Sequence, residues 1–174
     1  MYNCNKATCL ATDMCKTGIG FFLFQQSCSC DPIEGPHCGG GHWFVVFAGS
    51  RFTTDAESRY APVEREALAV VYGLDSSRMF VLGCPNLIIS VDHKPLIKIL
   101  SDQQPLERVK NARLQKLKER AMMYRFRIKH TPGKSHSSAD ATSRYPVEPP
   151  AEESVSHSSS SCILRSSRFH YLCE

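Results

Sequence analysis

Four acids, Asp13, Glu66, Asp92 and Asp140, stand where a carboxylate can do more than solvate a surface. Asp13 closes the segment ATCLATD, and Asp92 follows the apolar run LIISV. Glu66 lies early in a helical stretch between them, and Asp140 lies in a short late segment. If the two segments ending in Asp13 and Asp92 are parallel neighbours, their ends lie about 5 Å apart. Carboxylates that close repel one another unless a cation sits between them, so the arrangement becomes a divalent-metal site. Hard oxygen ligands favour magnesium or manganese. Each acid taken singly also has an ordinary reading as a turn or cap residue. Glu64 competes with Glu66, because on a wheel of roughly 100° per residue the two flank opposite edges of the apolar stripe. The wheel alone leaves both open.

The elements that must carry these acids follow from periodicity. Over residues 57–74 (ESRYAPVEREALAVVYGL), Val63, Ala67, Val70, Val71 and Leu74 recur at helical spacing, with Pro62 suited to the first turn. The helix is expected to run to about Phe80. Residues 7–13, 20–25 (GFFLFQ) and 42–49 (HWFVVFAG) read as strands of an antiparallel meander, with a Cys, Pro, Gly and Asp-rich loop over 28–41. Residues 87–91 form a continuous apolar run, as expected of a strand buried on both faces. A short helix over 94–100 and a longer one over 106–124 precede a final strand at 125–130 and a helical turn or two at 136–144. The longer helix has the seam Leu114, Leu117, Ala121 and Tyr124, flanked by a basic stripe of Arg113, Lys116 and Arg120. A meander followed by helix-linked strands predicts an α/β fold: a five-stranded mixed sheet flanked by helices.

Composition sets the frame. The 174 residues are 42% hydrophobic, enough for one domain with a real core. That domain is expected over 1–146; from Pro146 onward Pro, Glu and Ser dominate, so 147–174 reads as a disordered tail. The start of the chain lacks a secretory signal pattern, and its longest early apolar run, IGFFLF, is too short to span a membrane. Nine cysteines without such a signal read as reduced thiols of a cytoplasmic or nuclear protein rather than a secreted one.

From about Leu10 to Pro146, the chain resembles the RNase H domain of reverse transcriptases from gypsy-type long-terminal-repeat retrotransposons. The phrases that carry the resemblance are ATDMCKTGIGFFLFQ, AGSRFTTDAESRYAPVEREALAVVYGL, FVLGCPNLIISVDHKPL, NARLQKLKERAMMYRF and HTPGKSHSSADATSRYP, in family order. The resemblance implies that Asp13, Glu66, Asp92 and Asp140 are the catalytic, metal-holding acids, choosing Glu66 over Glu64. It implies two magnesium or manganese ions acting together on an in-line displacement. His130, ten residues before Asp140, stands at the separation where cellular RNase H enzymes carry a histidine that assists product release. Met14 and Cys15, after Asp13, depart from the small residues more frequent there.

The implied substrate is the RNA strand of an RNA–DNA hybrid. Lys94, Lys98, Arg113, Lys116 and Arg120, with Arg125 and Lys129, are the candidates to meet its phosphates, through a binding term that weakens with salt. The implied partner is a polymerase domain, which this chain lacks, so the sequence reads as a fragment of a Pol polyprotein. The competing reading keeps the fold and loses the chemistry, leaving an inactive module that binds nucleic acid or a partner. An integrase-like reading ranks lower, because those enzymes carry a Glu as the final acid. Cys28, Cys30, Cys38 and His42 read as a zinc clip only weakly, since their spacing fits no common finger.

Overall fold

A computed structural model describes residues 2–28, 43–101, 104–132 and 137–146, the side chains of 137–140 excepted. The candidate clip residues Cys30, Cys38 and His42 and the tail 147–174 lie outside the described residues. Strands β1 (Thr8–Met14), β2 (Gly18–Gln26) and β3 (Trp43–Phe52) form the antiparallel meander. A one-turn helix, α1 (Asp55–Ser58), and the helix α2 (Pro62–Ser76) follow. After another single turn, α3 (Arg78–Val81), strand β4 (Leu87–Val91) returns parallel to β1, and β5 (Arg127–His130) adds parallel to β4. The sheet order is β3-β2-β1-β4-β5, the five-stranded mixed sheet expected.

Sequence explains the layering. Every residue of β1 and of β4 is buried, as central strands must be. Leu10, Phe21 and Leu23 of the meander and Ile89 of β4 meet Ala67, Val70, Val71 and Leu74 of α2 in one core. The antiparallel register sets Asp13 opposite Gly20, and the parallel register sets Thr8 opposite Leu87 and Ala11 opposite Ser90. Because strand ends align in a parallel pair, Asp13 and Asp92 emerge at the same edge of the sheet.

Two helices differ from expectation. The α2 helix stops at Ser76, where the Ser77 hydroxyl donates to Gly73 O at 2.5 Å, and α3 is a separate turn. The stretch 106–124 is not one helix: a 3-10 turn over Leu106–Arg108 precedes α5 (Ala112–Ala121). Asn111 restarts the chain as a cap, its side-chain oxygen accepting from the N–H groups of Arg113 and Leu114. The predicted seam is nonetheless the buried face, with Leu114, Leu117, Ala121 and Tyr124 all in the core.

Between β4 and α5 lies α4 (Lys94–Leu100), as predicted. Its exit is held by Lys118, only 3% exposed, whose ammonium donates to Ile99 O, Ser101 O and Gln104 O. The last element, α6 (Ser137–Arg144), lies against β2 and β1. No helix among the described residues is long and apolar enough to cross a membrane.

Candidate metal centre

Three elements deliver acids to one place: β1 brings Asp13, α2 brings Glu66, and the residue after β4 is Asp92. One oxygen from each lies within 4.8 Å of the other two. Asp13 is 7% exposed and Glu66 is 9% exposed, whereas Asp92 is open to solvent. The cluster is therefore half sunk into the protein and reachable from outside. Glu66 is held under electrostatic strain. Burial, then the neighbouring charges of Asp13 and Asp92, push its carboxyl up to about 9, with Arg65 opposing weakly. Its Oε2 is buried and makes no hydrogen bond among the described residues.

A buried carboxylate clustered with two further acids, one of its oxygens without a hydrogen bond among the described residues, is costly unless something positive joins it. The donor set is all oxygen and suits a hard divalent ion such as magnesium or manganese. The residues thus fit such an ion.

Glu64 goes elsewhere. Its carboxylate accepts from Ala61 N–H, from the Asn111 amide at 2.8 Å and from the Arg113 guanidinium at 2.9 Å. It ties the start of α2 to the start of α5 and faces away from the acid cluster's chemistry. Two residues apart on the helix, the two glutamates meet different neighbours.

Asp140 lies on the backbone of α6, and its side chain is outside the described residues. His130 ends β5 opposite Val91, and its Nε2 lies 3.1 Å from the main-chain oxygen of Asp92. The basic candidates separate into two kinds. Arg113 is committed to Glu64 and lies over the Tyr60 ring, 3.9 Å from its centre; Arg120 pairs with Asp75. Lys94, Lys98 and Lys116 are exposed, and none of them joins an ion pair among the described residues.

Sequence reasoning missed Ser143. Fully buried, its hydroxyl donates to Asp13 Oδ2 at 2.5 Å. A signal existed in the phrase ADATSR: Ser143 follows Asp140 by one helical turn, so both share a face.

The family model for the RNase H-like domain found in reverse transcriptase matches residues 3–124. A retrovirus-related Pol polyprotein from the Drosophila melanogaster transposon opus is 36% identical over 99 residues, covering 57% of this chain and 9% of that protein. The corresponding polyprotein from the Drosophila melanogaster transposon gypsy is 29% identical over 154 residues, covering 86% of this chain and 13% of that protein. The chain thus spans a small fraction of these relatives. Among solved structures, RNase H1 from Halobacterium salinarum superposes with a TM-score of 0.52 at 15% identity, covering 80% of this chain and 97% of that one. At that identity the likeness speaks for the fold alone.

Proposed function

Because the chain belongs to the RNase H-like domains found in reverse transcriptase, we propose that it is a divalent-cation-dependent endoribonuclease that cleaves the RNA strand of RNA–DNA hybrids. The observation that carries this reading is the cluster itself: Asp13, Glu66 and Asp92 bring one oxygen each within 4.8 Å of the others, and Glu66 Oε2 is buried with no hydrogen-bond partner among the described residues. A structural glutamate would sit as Glu64 does, saturated by donors. Glu66 instead keeps its Oε2 without a hydrogen bond among the described residues, beside the solvent-exposed Asp92, an arrangement that suits a cation-binding acid.

Asp13, Glu66 and Asp92 would hold the cations, with Asp140 as the fourth acid. Bound magnesium or manganese ions, two in number, would supply Lewis-acid stabilisation to the attacking and leaving oxygens of an in-line displacement. The chain's own contribution is placement. The β1–β4 pairing fixes two carboxylates at one sheet edge, and α2 holds the third against them. His130, beside the Asp92 main chain, is proposed to assist product release. Lys94, Lys98 and Lys116 are proposed to meet the hybrid's phosphates, with Arg113 and Arg120 contributing charge from their paired positions. A polymerase domain is the proposed partner within a longer polyprotein, in keeping with the small share of the relatives that this chain spans.

Cleavage of an end-labelled RNA–DNA hybrid in magnesium tests the reading. Asp92→Asn is expected to lower the rate by roughly 100-fold or more while hybrid binding persists. Parent protein that binds hybrid yet shows no cation-dependent cleavage would make the chain a binding module instead.

A further inference from the structure

The strongest unassigned feature beside the acid cluster is the junction of α6 with the β1–β2 turn. Ser143 is gripped there at both ends. Its hydroxyl donates to Asp13 Oδ2, and its carbonyl, one of those a helix end leaves without an intrahelical partner, accepts from the Cys15 thiol at 3.0 Å. Cys15 is itself fixed by the turn: its N–H donates to Gly18 O at 2.9 Å, and its sulfur lies 3.1 Å from the Thr17 hydroxyl. The close approach depends on glycine. A Cβ at Gly20 would lie 2.7 Å from Ser143 N and nearer still to the Thr142 hydroxyl; one at Gly18 would strike Ser143 O. The helix therefore seats on bare backbone directly opposite Asp13 in the antiparallel register.

Resting on the nuclease reading above, we propose that Ser143 is a positioning residue that sets the Asp13 carboxylate for cation binding and couples α6 to β1. A carboxylate beside two other acids has every electrostatic reason to rotate away from them. A buried hydroxyl donating to one oxygen opposes that rotation. The hydroxyl is on α6 and not on the strand, so this contact aims Asp13 through the docking of α6. The backbone of α6 also carries Asp140. Ser143 touches neither substrate nor cation; it acts through Asp13.

The test is manganese binding, read from the electron paramagnetic resonance signal of the free ion, on parent, Ser143→Ala and Ser143→Thr proteins. The magnesium concentration for half-maximal hybrid cleavage is measured alongside. Alanine is expected to weaken manganese binding about tenfold and to raise the magnesium requirement by a similar factor, with KM for hybrid within about twofold. Threonine, which keeps the hydroxyl, is expected to restore both. A folded alanine variant with parental manganese affinity overturns the proposal, and so does a threonine variant as defective as alanine. An alanine variant that fails to fold makes Ser143 a structural residue and overturns it too. Parent that binds manganese but cleaves nothing ends the nuclease reading alone, and the three-protein binding comparison still decides Ser143. Parent that binds no manganese ends both.

Discussion

Glu66 holds its proton far more tightly than an exposed carboxylate does, and the consequence for stability has a definite sign. Its folded value is raised from an ordinary 4.5 to about 9, by burial first and by Asp13 and Asp92 next. A raised value means that the folded state binds the proton better, so stability from this group is complete below about pH 4.5 and drains away as pH rises toward 9. Glu57 runs the other way. Its bond to Arg51 holds it down at about 2, so its contribution disappears only as pH falls below the ordinary value, outside that window. Thermal unfolding in chelator should therefore show a melting temperature falling by roughly 5 °C or more between pH 6 and 9. Glu66→Gln should flatten the fall, and magnesium should stabilise the parent more at pH 8 than at pH 6, because binding displaces the proton. A parental profile that matches the glutamine variant in chelator would refute this. At this scale the sequence was informative about which residue types matter and uninformative about direction. Helical periodicity left Glu64 and Glu66 equivalent; the resemblance chose Glu66, and in the structure the Asn111 and Arg113 donors at the start of α5, remote in sequence, occupy Glu64.

Among the elements, α6 depends most on what it lacks beneath it. Gly20→Ala would drive a methyl group into the Thr142 side chain and the Ser143 backbone. The helix must shift, at a cost of about 1–3 kcal/mol, while the core of α2 on the sheet has no reason to change. The expected outcome is a lower melting temperature, loss of most hybrid cleavage and an unchanged far-ultraviolet spectrum of the sheet; full activity would mean that α6 tolerates displacement. Elements legible from pattern were those with clean periodicity: the apolar run of β4 and the short helix α4 lie where the sequence predicts them. The stretch after Pro105 was less legible, because the Asn111 cap competes with a run of otherwise helix-compatible residues. The one-turn α1 was missed; Thr54 and Glu57 form a capping box, which is a local signal, but four residues show no apolar period.

On the scale of the molecule, the basic groups form two populations, and hybrid binding should separate them. Lys116→Ala should weaken hybrid binding and reduce the salt slope by about one, with stability almost unchanged. Arg113→Ala should cost more in stability than in binding, because it strands the buried Glu64 carboxylate and removes the cation from the Tyr60 ring. Equal effects of the two substitutions on both measurements would show that the pairing of Arg113 is irrelevant. The mixed sheet with its meander was readable from the alternation of elements, whereas the parallel pairing of β1 with β4 entered only as a condition; the seat of α6 across β2 and β1 was not readable, since two glycines and a serine carry no periodic signature. The parallel pairing of β1 with β4 also has a kinetic face. Asp13 and Asp92 come from strands joined by a connection that includes α2, so their meeting is a long-range contact expected to form late in folding. Magnesium should accordingly slow unfolding in proportion to its binding and leave the refolding rate nearly constant, a division that stopped-flow measurements with and without the ion would reveal.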